Sequence, residues 1–121
     1  MQLGTYIHYL FEITDFKNPN IDSKYKEYIL EFIKQIDLNC NIYKEYEFIY
    51  TEDNIIKHGI IDLLLEYKDH IDIVDYKLKN TIDENYKKQV SGYKKYIETL
   101  TNKKVNTYLY SILDKKKVEI K

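Results

Sequence analysis

Arginine and alanine are absent from this 121-residue chain, all 19 basic residues are lysine, and glycine (3), proline (1) and cysteine (1) are scarce. Each shortage narrows the reading. The lone Cys40 cannot form an internal disulfide and cannot supply a multi-cysteine zinc or iron–sulfur site. A buried or idle thiol is its expected state. With no repeat, no low-complexity tract and no Pro/Gly linker, the chain reads as one domain around one core. No apolar run reaches the roughly 18 residues that a membrane helix needs. The N-terminus has no basic stretch followed by an apolar segment, so secretion is not signalled, and a cytoplasmic protein without a membrane partner is expected. The missing arginine and alanine, beside 14 tyrosines and many Ile and Asn, fit the codon bias of an AT-rich genome. Lysine and tyrosine abundance therefore says little about function.

What is present is charge, unevenly placed. Hydrophobic residues make up 44% and charged residues 32%, with a net charge of −1, as suits a soluble globular protein. Residues 1–56 carry 5 Lys against 10 acids and residues 57–75 carry 2 against 5. Residues 76–104 carry 8 Lys against 3 acids, and residues 105–121 carry 4 against 2. The positive half begins at Lys77, where phosphate contacts would be wanted. An ordinary solvated helix face explains it equally well.

Hydrophobic spacing sets out eight elements. Leu3, Ile7, Leu10, Phe11 and Thr14 recur at helical intervals over Leu3–Asp15. After the break at Lys17-Asn18-Pro19-Asn20, Asp22 or Ser23 can cap a second helix running to Asp37. Strand-like runs follow at Ile42–Thr51, Ile55–Tyr67 and Ile71–Lys77, separated by turns at Thr51–Asn54 and Lys68-Asp69-His70. Asp83–Leu100 is helical, with Tyr86, Val90, Tyr93, Ile97 and Leu100 on one stripe. Val105–Leu113 and Val118–Ile120 read as strands around a turn at Asp114-Lys115-Lys116. The order ααβββαββ implies an α/β fold in which one mixed central β-sheet is flanked by helices.

Two charges sit where charge is costly. Asp75-Tyr76-Lys77 closes the apolar run Ile71–Val74, and Asp62 interrupts the apolar run Ile60–Leu65. Strand residues two apart share a face, so Asp75 and Lys77 project together. The pattern D-x-K also occurs at Asp15, Asp22 and Asp114, but there it falls at helix ends or turns. Two carboxylates and an ammonium at the end of a sheet suit a divalent cation held against a phosphate. The plain alternatives are an edge-strand Asp facing water, or an Asp62–Lys77 ion pair. Gly59, three residues before Asp62, reads as a place where DNA or another backbone comes close. Gln89 and Tyr93 share a helix face, His8 lies one turn after Gly4, and Glu45 lies in the first strand.

Taken together, Gly4-Thr5-Tyr6-Ile7-His8, Glu45-Tyr46-Glu47-Phe48, Gly59-Ile60-Ile61-Asp62, Asp75-Tyr76-Lys77 and Gln89-Val90-Ser91-Gly92-Tyr93 resemble the PD-(D/E)xK nuclease superfamily. The likeness is to the RecB/AddA-type nuclease domain of bacterial helicase–nucleases, and it spans residues 4 to 93. The resemblance implies a restriction-endonuclease-like core. It implies that residues 1–121 form a single nuclease domain, either a piece of a larger helicase–nuclease or a stand-alone relative. It implies a metal-dependent DNA nuclease, the exonuclease domain of a double-strand-break repair and recombination complex. Its implied partners are DNA and a helicase, the latter as a domain or a separate subunit. His8, Asp62, Asp75 and the backbone carbonyl of Tyr76 would hold Mg²⁺ or Mn²⁺. Lys77 would orient or deprotonate the attacking water, Gln89 and Tyr93 would position DNA or water, and Glu45 is a candidate supporting carboxylate. Leu78 stands where the family often has Thr, and the ligands of the iron–sulfur relatives are missing, so no such cluster is expected. The competing readings are an inactive nuclease-fold module that binds DNA or acts as a scaffold, and a small α/β interaction domain whose Asp75-Tyr76-Lys77 is a structural ion pair.

Overall fold

A computed structural model of the chain describes residues 2–79 and 82–121. The elements are α1 (Leu3–Ile13), α2 (Lys26–Lys34), β1 (Asn41–Glu52), β2 (Ile55–Glu66), β3 (His70–Lys77), α3 (Glu84–Glu98), β4 (Lys104–Ser111) and β5 (Lys116–Glu119). The five strands form one sheet in sequential order. Antiparallel pairs join β1 to β2, β2 to β3 and β4 to β5, while β3 and β4 run parallel, as a strand–helix–strand crossover requires.

The apolar stripes predicted from spacing become two opposed cores. On one face, Ile7, Leu10 and Phe11 of α1 and Ile29 and Phe32 of α2 pack on Leu63, Leu65, Val74, Tyr76 and Tyr110. On the other, Ile97 of α3 packs on Phe48, Ile61, Leu64, Ile71, Ile73 and Val105, and Tyr86 and Val90 pack on Leu109.

Several helix ends differ from the sequence expectation. α1 stops at Ile13, because Thr14 turns extended (ψ 126°) and its hydroxyl bonds back to the Leu10 carbonyl at 2.6 Å. Lys44 of β1 then donates to the free carbonyls of Phe11, Glu12 and Thr14. Neither Asp22 nor Ser23 caps α2. Ser23 Oγ accepts from the Tyr25 N–H at 3.2 Å, building a turn that delays the helix to Lys26. α2 also ends three residues short of Asp37, whose carboxylate accepts from the Asn39 N–H and whose carbonyl accepts from the Tyr67 hydroxyl. Asp83 does cap α3, accepting from the Tyr86 N–H at 2.8 Å. Asp53 and Asn54, with φ of 53° and 64°, make the two-residue turn of the β1–β2 hairpin.

The sheet changes character at one point. Ile42 and Lys44 face α1, yet Tyr46, Phe48 and Tyr50 face α3. Alternation would keep all these even-numbered residues on one face. The register runs from Lys44↔Leu63 to Tyr46↔Ile61 with no inserted residue. The switch occurs at Glu45, whose φ of 50° turns the backbone over. The opposite strand switches too, with Leu63 and Leu65 facing α1 but Ile61 facing α3. Beyond this point the strands part company. β2 pairs with β3 only from Leu63↔Val74 to Glu66↔Ile71, and Asp75, Tyr76 and Lys77 pair with β4 alone. The hairpin thus splays away and leaves a fork between β2 and β3.

Candidate metal centre

Asp62 and Asp75 would be the next pair of the β2–β3 ladder, but the fork opens there instead. The Tyr76 N–H loses its ladder partner and donates to Asp62 Oδ2 at 2.9 Å. The other Asp62 oxygen lies 2.9 Å from His8 Nε2, brought in by α1. Glu45 reaches the same imidazole, with its Oε1 3.8 Å from Nδ1. His8, Glu45 and Asp62 offer ligand atoms all within 4.8 Å of one another. Asp62 is thus paired with His8, and the ion pair with Lys77 that the sequence left open is not the one made.

Asp75 stands opposite Asp62 by the strand register, and the Asp62 charge acts on it. Its Oδ2 accepts from the Tyr86 hydroxyl at 3.0 Å and lies 3.8 Å from Lys77 Nζ. The Lys77 ammonium also sits 5.4 Å from the centre of the Tyr86 ring. Asp75 and Lys77 therefore share a face, as the spacing implied.

Electrostatics mark this cluster as short of positive charge. The Asp75 carboxyl is pushed up to about 7, first by burial and then by the neighbouring Asp62, with Lys77 acting against both. His8 is raised, chiefly by its hydrogen bond to Asp62. Glu45 is raised by burial, against the pull of His8. Burial and the facing Asp75 keep the Tyr86 hydroxyl protonated and able to donate. Two or three carboxylates with one imidazole form a donor set of oxygen and nitrogen that fits a hard divalent cation such as Mg²⁺ or Mn²⁺. A bound cation would relieve the crowding that now raises these values.

The remaining residues distribute unevenly. Tyr93 is half-buried, packed edge-on against Phe48 at 5.2 Å and Tyr50 at 6.2 Å. Gln89 is exposed. Tyr86 is the residue of this helix stripe that touches Asp75, and the sequence reading gave it only a packing role. Its place three residues before Gln89 and seven before Tyr93 was the available signal. Gly59 is buried, and a Cβ there would come within 2.5 Å of Phe48 Cζ and 2.9 Å of Tyr93 Cε1. The absent side chain makes room for two rings, not for DNA, which corrects the expectation.

Comparison with known proteins bears on this arrangement. No family model matches the chain. A 114-residue alignment is 39% identical to an ATP-dependent helicase/nuclease subunit, AddA, of Clostridium beijerinckii, covering 72% of this chain and 9% of that protein. The chain is similar to a segment of that relative. The AddA protein of Clostridium novyi is 41% identical over 81 residues, covering 60% of this chain and 7% of that protein. The AddA protein of Ruminiclostridium cellulolyticum is 28% identical over 154 residues, covering 88% of this chain and 12% of that protein. The chain thus spans only about a tenth of the helicase/nuclease relatives it matches.

Proposed function

We propose that this chain is a Mg²⁺- or Mn²⁺-dependent DNA nuclease of the PD-(D/E)xK type with a restriction-endonuclease-like core. In this reading it is the nuclease domain of a helicase–nuclease that acts in double-strand-break repair and recombination. The observation that carries the reading is the fork itself, which gathers His8, Asp62, Asp75 and Lys77 from α1, β2 and β3 at one open end of the sheet. The similarity to helicase/nuclease proteins supports DNA as substrate and a helicase as partner, within the same chain or in a separate one.

His8, Asp62 and Asp75 would hold the cation, with Glu45 and the Tyr76 carbonyl as further oxygen donors. When bound, the cation would supply Lewis-acid polarisation of a phosphate and a more acidic water. The chain's own groups do the rest. Lys77, held beside Asp75, orients the attacking water and offsets charge as it builds on the phosphate oxygens. Its side chain is 42% exposed, so it can reach a substrate at the fork. Asp62 spans imidazole and backbone N–H, which fixes its carboxylate plane before any ligand arrives. In this reading exposed Gln89 and half-buried Tyr93 of α3 would position DNA or water.

Cleavage of linear DNA by the purified chain tests the proposal. Product should form with Mg²⁺ or Mn²⁺, stop in chelator, and be abolished in Asp75→Ala and Lys77→Ala with the fold intact. Cleavage that persists in chelator, or full activity in either variant, would sink it. DNA binding without cleavage under every divalent cation would favour an inactive DNA-binding or scaffolding module.

A further inference from the structure

We infer that Tyr86 is a positioning residue of this centre: its hydroxyl holds the Asp75 carboxylate and its ring seats the Lys77 ammonium. The inference rests on the nuclease reading above and adds to it a residue outside both the D-x-K and the Q-x-x-x-Y elements.

Tyr86 is tied at both ends. Its backbone N–H is fixed by the Asp83 cap at 2.8 Å, which locks the first turn of α3. Its ring is buried among Val90 and Leu109. Leu109 is also the β4 partner of Asp75, so ring and carboxylate rest on the same stretch of sheet. From that seat the hydroxyl donates to Asp75 Oδ2 at 3.0 Å. The Lys77 ammonium lies 3.8 Å from the same oxygen and 5.4 Å from the ring centre, within the range in which an aromatic face attracts a cation.

Core packing accounts for the ring but not for the hydroxyl. A phenylalanine would fill the same space, whereas only the hydroxyl engages Asp75. A donor on one carboxylate oxygen restrains rotation of the group and presents it to a ligand in a set orientation. The ring adds a second constraint by keeping Lys77 on the Asp75 side of the fork. Two groups with different duties are thereby held by one side chain.

The test compares wild type with Tyr86→Phe, Tyr86→Leu and, as a packing control, Val90→Ala. The readouts are melting temperature without metal, Mn²⁺ affinity by calorimetry, and kcat and KM on linear DNA. Tyr86→Phe is expected to melt like wild type yet bind Mn²⁺ about 10–100-fold more weakly. Its cleavage should recover as Mn²⁺ is raised, with KM for DNA unchanged. Tyr86→Leu should keep a lowered kcat even at saturating Mn²⁺, because Lys77 has lost its seat. Val90→Ala should lower the melting temperature and leave Mn²⁺ affinity alone. Wild-type Mn²⁺ affinity and kcat in Tyr86→Phe, with the parent protein active, would remove Tyr86 from the centre and leave the nuclease reading standing. Losses in Tyr86→Phe that merely track stability, matched by Val90→Ala, would likewise overturn the inference. A parent protein that neither binds Mn²⁺ nor cleaves would overturn the inference together with the reading it rests on.

Discussion

His8, Asp62 and Asp75 are each held by a partner that a cation would displace or complement. The 2.9 Å contact between His8 Nε2 and Asp62 occupies the imidazole nitrogen that a metal would use. Binding should therefore release protons, and Mn²⁺ affinity should rise with pH. Tyr76, in the middle of the triplet, presents a different problem. Its ring stacks on Phe11 at 4.2 Å, and its hydroxyl is buried without a hydrogen-bond partner among the described residues. Leaving a buried donor unsatisfied costs about 1–3 kcal/mol. Tyr76→Phe should remove that cost, so urea unfolding should show unchanged or higher stability, with cleavage retained. A marked loss of either would mean that the hydroxyl has a role at the centre. At this scale the sequence was informative for Asp62, Asp75 and Lys77, because a charge within an apolar strand needs a reason. For Tyr86 it offered only helical spacing to Gln89 and Tyr93, which does not tell a hydroxyl with a partner from a packing aromatic.

At the level of elements, α1 carries His8 and is docked by a lysine of β1. Lys44 reaches the carbonyls of Phe11, Glu12 and Thr14 and lies over the Phe16 ring at 4.0 Å. Lys44→Met keeps most of the stem's packing and removes the donors. Hydrogen bonds to charged groups are worth about 1.5–3 kcal/mol, and a loss of that size is expected in urea unfolding. A change below about 0.5 kcal/mol would mean that water satisfies those carbonyls just as well. Helix and strand positions were readable from apolar spacing, because burial on two faces of one sheet imposes that spacing. Helix ends were less readable. Ser23 has the chemistry of a cap but spends its oxygen on a turn, and Lys44 acts across 30 residues on α1. The face switch at Glu45 was hidden as well, since an uninterrupted run of alternating residues gives no sign of one left-handed residue within it.

At the scale of the whole molecule, the centre couples stability to pH. Asp75 rises from 3.8 to about 7, and Glu45 rises from 4.5. His8 rises from 6.5. All three therefore bind protons more tightly when the protein is folded. Their stabilisation is full below the unfolded values and is lost as pH rises through the folded ones. Glu66 and Asp69, which are lowered, act in the opposite sense, but only at or below about pH 4.5. Without metal, the melting temperature should fall between about pH 5 and pH 8, and Mn²⁺ should flatten that slope by binding the folded state. Calorimetry in chelator and in Mn²⁺ checks this, and a melting temperature that climbs over that range in chelator would contradict it. The fork that creates the coupling is a property of the assembled sheet. Local sequence placed the two aspartates thirteen residues apart, and it is the β2–β3 register that brings them opposite each other where the strands part.

The central claim is that this fork is a divalent-metal centre. Crystals grown with millimolar Mn²⁺ and measured for anomalous scattering test it most directly. The expected result is a single strong peak in the fork, about 2.0–2.5 Å from His8 Nε2 and from oxygens of Asp62 and Asp75, with the His8–Asp62 hydrogen bond broken. A fork without a peak, with that hydrogen bond intact, would contradict it.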